Sequence, residues 1–299
     1  MIKIGLIGLD TSHATAFTAL LNDPTNPNHR EGGKVVAGWP GGSPDFANSA
    51  NRVEGFTNEL REKYQVEMMD SPEAVAKAVD LIFITAVDGR VHPELLSKVA
   101  PFGKPVFIDK PFALTADGAK EMIDRAAKEG IPLMSCSSLR YSEFLLEAMK
   151  EGREGILAAD FYGPMNEVET QPGLFWYGCH AVEMMVTVMG TGCREVSCHK
   201  SESNDVLTAI YEDGRMATLH GLRGSHSKFG AVLHRASGPV TIDASGGRPF
   251  YLGTIDAIMD NLPNGQSPIP AEEMLEVVAI IEAGNASREA NGKVVSVKR

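Results

Sequence analysis

Residues 105–115 read Pro105-Val106-Phe107-Ile108-Asp109-Lys110-Pro111-Phe112-Ala113-Leu114-Thr115. Val106 to Ile108 make a short apolar strand that stops at a charged pair followed by proline, which cannot continue a ladder and fixes the direction of exit. Lys110 is thereby set at a strand's carboxyl end, the edge of an open parallel sheet where ligands collect. Thr115 and Asp117 then open a helix, one as a cap and the other as a charge beside the positive end of the dipole. Taken alone, Asp-Lys-Pro reads as a solvated loop lysine; the pattern around it gives it a role.

Upstream, residues 2–9 form an apolar strand and Ala14 to Leu21 a helical pattern, with Asp10, Thr11, Ser12 and His13 as possible caps between them. This turn keeps only the first glycine of the dinucleotide fingerprint Gly-x-Gly-x-x-Gly, as Gly8-Leu9-Asp10-Thr11-Ser12-His13. A strand over Lys34 to Trp39 follows, then Gly41-Gly42-Ser43, with no carboxylate before Asp45 to hold an adenosine ribose. Val53 to Tyr64 reads as a helix, Val66 to Met69 as a strand, Ser71-Pro72-Glu73 as a helix start, Asp80 to Thr85 as a buried strand and His92 to Val99 as a helix. Beyond Lys110, a helix from Ala116 to Glu129 closes on Gly130, and Ile131 to Cys136 is a further strand. Strands alternating with helices at these lengths imply parallel pairing with right-handed crossovers. Residues 1–137 are therefore expected to form a doubly wound α/β domain of the Rossmann type.

Residues 138–299 change pattern. After a helix over Tyr141 to Lys150, strands are expected at 156–162, 195–200, 206–211, 216–222, 229–235 and 240–244, separated by turns such as Glu212-Asp213-Gly214. Helices over His180 to Met189 and Ala271 to Ala283 and a last strand, Val294 to Val297, complete an α+β domain with an open, mostly antiparallel sheet. An open sheet needs cover, so a homodimer or homotetramer formed through it is expected.

The bulk numbers narrow the partners. The 299 residues carry a net charge of −11, which argues against a nucleic-acid surface. No apolar stretch approaches a membrane span, and the first residues pattern as a strand rather than a leader. Cys136, Cys179, Cys193 and Cys198 lack Cys-x-x-Cys spacing, which suits reduced thiols in a cytoplasmic protein.

With both halves placed, the chain resembles the glucose-fructose oxidoreductase, inositol dehydrogenase and MocA-like (Gfo/Idh/MocA) family. The resemblance rests on the Gly8 turn, Asp109-Lys110-Pro111 with Leu114-Thr115, the helix ending at Gly130, Leu139-Arg140-Tyr141-Ser142, and Gly178-x-His180-x-x-Glu183. It implies NAD or NADP in the first domain and oxidation or reduction of a sugar or polyol hydroxyl at the domain junction. It implies Lys110 and His180 as the catalytic residues, since hydride removal from a carbinol carbon needs a proton acceptor and a group to hold developing charge. Gly8, Thr11 and Ser12 would receive the diphosphate; Asp10, His13, Ser43, Asp109 and Lys110 are the other expected cofactor contacts. Arg140, Tyr141, Trp176, Tyr177 and Glu183 are the expected substrate contacts.

Three positions depart from the family's pattern. The aspartate expected four residues before His180 is Trp176. Trp176 and Tyr177 read equally as a stacking floor for a sugar and as core; Arg140 and Tyr141 read nearly equally as ligands and as packing. Asp10 stands where a glycine would let the backbone approach a pyrophosphate. Like charges about 4 Å apart at an effective dielectric of about 20 repel by roughly 4 kcal/mol, about three decades of affinity, unless Asp10 turns away as a helix cap. The third departure is the missing ribose acid, with no arginine beside it to accept a 2′-phosphate, which leaves NAD and NADP both open. His220, Arg223, His226 and Lys228 read as a solvated face before an anion site. His180-x-x-Glu183 has a ligand-like spacing without a third ligand, so no metal is expected. Two competing readings stand beside the dehydrogenase: a cofactor-poor sugar-binding sensor or assembly subunit, and a non-redox lyase or isomerase with bound NAD.

Overall fold

The structure is a computed structural model that describes residues 1–224 and 228–299. The chain divides into two compact units, Met1–Ala113 with Gly118–Cys136 and Tyr251–Pro270, and Leu114–Asp117 with Ser137–Phe250 and Ala271–Arg299. A single cut at residue 137 therefore needs correction, because residues 251–270 return to the first unit.

The first unit runs β1 (Ile2–Ile7), α1 (Ser12–Asn22), β2 (Gly33–Trp39), α2 (Ala47–Ala50), α3 (Val53–Tyr64), β3 (Glu67–Met68), α4 (Pro72–Ala78), β4 (Leu81–Ile84), α5 (His92–Val99), β5 (Val106–Asp109), α6 (Ala116–Glu129) and β6 (Leu133–Cys136). Among the described residues its sheet has six parallel strands in the order β3-β2-β1-β4-β5-β6. β4, β5 and β6 are buried at every position, as a parallel sheet covered on both faces requires. Phe17 of α1 meets Phe83 of β4 and Phe107 of β5 edge-on, each at 6.2 Å. At about 0.5–1.5 kcal/mol per aromatic pair, this contact fixes α1 on the sheet and sets its first turn above the strand ends.

The second unit contains α7 (Glu143–Ala148), β7 (Ile156–Pro164), α8 (Gly178–Met189), β8 (Cys193–Lys200), β9 (Asn204–Tyr211), β10 (Met216–Leu222), β11 (Gly230–Arg235) and β12 (Gly238–Asp243). After α9 (Phe250–Asn261) come α10 (Ala271–Glu289) and β13 (Val295–Ser296). Its sheet has the order β12-β11-β7-β10-β9-β8-β13 and is antiparallel except where β7 and β10 pair. α8 packs on β7, and α10 on β8 and α8. Helix α9 was not expected from the sequence. It belongs with the first unit, where Arg30 pairs with Asp256 and Asp260 and Tyr251 stacks on Phe17. Among the described residues no helix is long and apolar enough to cross a membrane.

Candidate functional site

In the first unit the functional groups stand at the carboxyl ends of the parallel strands. Gly8 leaves β1 with φ +87°, and a Cβ there would lie 2.5 Å from the backbone of Ala86. Gly41, φ +64°, comes from the loop after β2, and its Cβ would meet the Trp39 ring at 2.9 Å and Gly8 Cα at 3.4 Å. Close packing thus keeps both positions bare, and the two glycines form a floor without side chains at this sheet edge. Thr11 caps α1, accepting from the His13 amide at 3.4 Å, and Ser12 is exposed at the helix start.

Asp10 is not the cap. Its carboxylate accepts from the Ser49 hydroxyl at 2.5 Å and the Val87 amide at 2.9 Å, and it is 1% exposed. Burial pushes this carboxyl up, against the pull of both hydrogen bonds. Asp10, expected as a cofactor contact, is placed as a brace beneath the turn, its oxygens bonded to Ser49 of α2 and to the Val87 amide in the loop after β4. The repulsion worked out for a charge facing the diphosphate does not arise in this geometry, and the turn fits a dinucleotide. Ser43 is also turned inward: its hydroxyl bonds Asp88 and its amide donates to Ser49.

His13, in the place of the last fingerprint glycine, turns to Asp109. Its Nδ1 lies 2.6 Å from Asp109 Oδ2, both side chains are buried, and Tyr251 packs on the ring at 4.9 Å. Burial pushes the Asp109 carboxyl up, but His13 and then Lys110 outweigh it and hold the carboxyl below its ordinary range. Lys110, the next residue, is half-buried at the end of β5. His92 braces the same edge, with Nε2 2.8 Å from the Ala86 carbonyl and Nδ1 3.1 Å from the Phe112 carbonyl. Sequence reasoning missed His92 as a bridge; its position at the first residue of α5, at the sheet's carboxyl edge, was the available signal.

Reasoning along the chain also missed an arginine at the ribose position. Arg90, from the loop after β4, reaches the loop after β2 and grips Asp45 with two hydrogen bonds of 2.8 Å while holding Asp88 at 2.7 Å. These bonds pull the Asp45 carboxyl down and push the Arg90 guanidinium up. The set carries one net negative charge.

In the second unit His180 lies in the first turn of α8, with Nδ1 2.7 Å from the Ser137 hydroxyl oxygen. Tyr177 and Phe229 meet its ring at 5.9 and 5.4 Å, and half-buried Trp176 stacks edge-on with Tyr177 at 6.1 Å. Gly178 is required here, since a Cβ would lie 2.8 Å from Leu174 and 3.0 Å from Met165. Glu183 and Arg140, expected as substrate contacts, pair with each other in the interior of this unit. Arg140 bonds Glu183 at 2.5 Å and Glu273 at 2.8 Å, with all three side chains buried. Burial pushes the Glu183 carboxyl up against that pairing. Tyr141 is half-buried. Arg223 pairs with Glu167 and Asp205, and Lys228 with Asp243, so these cations are neutralised; His226 lies outside the described residues.

Residues 2–136 match the model of the Gfo/Idh/MocA family, described as an oxidoreductase family with an NAD-binding Rossmann fold. The similarity to that family is carried by this first stretch, a little under half of the chain. Inositol 2-dehydrogenase from Serratia proteamaculans is 30% identical over 90 residues, 30% of this chain. That match spans 27% of the relative's own length. Among solved structures, a putative myo-inositol dehydrogenase from Sinorhizobium meliloti superposes with a TM-score of 0.79 at 14% identity, covering 100% of both chains. Myo-inositol dehydrogenase from Lactobacillus casei, solved with NAD(H) and myo-inositol, gives 0.77 at 15% identity, covering 100% of this chain and 97% of that one.

Proposed function

We propose that this protein is an NAD-dependent oxidoreductase acting on a hydroxyl of a sugar or polyol, of the class its inositol dehydrogenase relatives use. The observation that carries the reading is the glycine floor of Gly8 and Gly41 on the same sheet edge that ends β5 at Lys110. Gly8, Thr11 and Ser12 hold the diphosphate at the start of α1, whose first amides have no acceptor within the helix. NAD when bound supplies the hydride acceptor. Lys110 supplies a positive charge for the substrate oxygen, and His180, with Trp176 and Tyr177 beside it, supplies a hydrogen-bonding ring and an apolar surface for a carbon skeleton. Asp45, gripped by Arg90, favours NAD over NADP: its carboxylate suits a ribose hydroxyl, and the net negative charge opposes a 2′-phosphate. The face of the second sheet opposite α8 and α10 carries Met216 and His220 exposed, and a homodimer or homotetramer formed there would cover it.

The test is titration with NADH and NADPH, followed by energy transfer from Trp39 and Trp176, then a polyol screen with the preferred cofactor. NADH binding in the micromolar range, tighter than NADPH, is expected, and Lys110→Ala should abolish turnover while the thermal transition persists. Failure of both dinucleotides to bind, in protein shown to carry none, would remove the reading; turnover by Lys110→Ala would remove the lysine from it.

A further inference from the structure

Ser137 is the first residue beyond the carboxyl end of β6 and is 1% exposed. Its amide donates to Glu183 Oε2 at 3.3 Å, and its carbonyl accepts from the Arg140 amide at 3.1 Å. Its hydroxyl oxygen accepts from the Leu139 amide at 3.2 Å and lies 2.7 Å from His180 Nδ1. A hydroxyl has one hydrogen to give and two lone pairs to receive with. If His180 carried its proton on Nδ1, Ser137 would accept twice, and its own buried hydrogen would have no acceptor among the described residues. Buried polar groups avoid that arrangement because desolvation is then uncompensated. If Ser137 instead donates to Nδ1, the hydrogen and the acceptor capacity are both used, and the short separation suits an O–H donor.

We infer that Ser137 fixes neutral His180 as the Nε2–H tautomer, so that this histidine meets a substrate oxygen as a hydrogen-bond donor rather than as the base that takes the hydroxyl proton. The substrate role rests on the dehydrogenase reading; the tautomer does not. A carboxylate partner would do the opposite, drawing the proton to Nδ1 and leaving the Nε2 lone pair to act as base. Trp176 occupies the place where the family pattern puts that carboxylate, and Ser137, contributed by the end of β6, reverses the polarity of the ring. Tyr177 and Phe229, edge-on to the imidazole, hold its plane. Ser137 is thus a positioning residue acting through His180.

The experiment is long-range ¹⁵N–¹H correlation of the histidine rings in the 299-residue chain without added cofactor, with His180→Asn assigning the signals. At a pH where the ring is neutral, wild type should show an unprotonated, hydrogen-bonded Nδ1 and a protonated Nε2. Ser137→Ala should move both ¹⁵N shifts towards tautomer-averaged values, and Ser137→Thr, which keeps the hydroxyl, should restore them. A protonated Nδ1 in wild type overturns the inference, as does a Ser137→Ala spectrum unchanged from wild type. The wild-type spectrum decides even if Ser137→Ala fails to fold. An Nε2–H tautomer in a protein that binds neither NADH nor NADPH would keep the tautomer and remove the dehydrogenase reading, so the two failures are distinct.

Discussion

Replacing His13 with alanine separates a structural account of the altered fingerprint from a ligand-binding one. The His13–Asp109 pair is buried, with Nδ1 and Oδ2 2.6 Å apart and the side chains 10% and 3% exposed. Removing one member of such a pair strands the other without solvent, a loss of about 3–5 kcal/mol. The ring's contacts with Phe17 and Tyr251 add about 1 kcal/mol. A deficit of about 4–6 kcal/mol is a large share of the roughly 5–15 kcal/mol a domain holds. Denaturant unfolding followed by Trp39 fluorescence in a Trp176→Phe background reports the first unit. A cycle with Asp109→Asn should return a coupling energy of about 2–3 kcal/mol. The pH dependence has a definite sign. In wild type the Asp109 carboxyl is held below its ordinary 3.8, so its contribution is full above that value and is lost as the pH falls through the lower folded value. Without His13, burial, the largest influence on this carboxyl, raises the folded value above the unfolded one. The variant's deficit should then shrink as the pH falls from about 7 towards about 4. A deficit below about 1 kcal/mol, or one flat with pH, would refute the reasoning, since any stranded buried carboxylate must show both.

Gly8→Ala forces a side chain into positive φ, at about 1–2 kcal/mol, and against the Ala86 backbone, at about 1–3 kcal/mol more. It should lower both the thermal transition and NADH affinity; a variant matching wild type in both would show that the floor is not built as described. In the second unit, burial pushes the Glu167 carboxyl up, but Arg223 and Arg288 override it and bring it from 4.5 to about 2. Its stabilising contribution is therefore complete above about pH 4.5 and lost as the pH falls towards 2. Glu167→Gln should cost about 1–2 kcal/mol at neutral pH, after allowance for a side chain one-third exposed. Near pH 2 it should cost almost nothing; a deficit independent of pH in denaturant unfolding would count against the pairing.

The elements were legible where the chain's own pattern suffices. Runs such as Leu81 to Ile84 and Val106 to Ile108 can be satisfied only between two layers of helix, and Pro111 stops the second run one residue beyond Lys110. The roles of the polar residues were not legible, because their partners lie far along the chain. Within the turn, Asp10 has two options, the helix cap and the phosphate. The fold supplies a third through Ser49 and Val87, 39 and 77 residues away. His13 finds Asp109 across 96 residues, and His180 finds Ser137 across 43 where the motif looks four residues back. Arg90 reaches Asp45 across 45 residues and supplies the arginine that the local pattern lacks.

These long-range partners follow one logic. The conventional fingerprint clears side chains from the turn so that the backbone can approach the pyrophosphate and the helix can pack closely on the strand. Here both substituted positions send side chains beneath the surface instead: Asp10 ties the β1 turn to α2 and to the loop after β4, and His13 ties α1 to the end of β5. The glycine that must stay bare, Gly8, is retained, and the positions that changed are those whose side chains have a polar socket below. The network holds the sheet edge from underneath through the chain's own side chains, Asp10 on Ser49 and Val87 and His13 on Asp109.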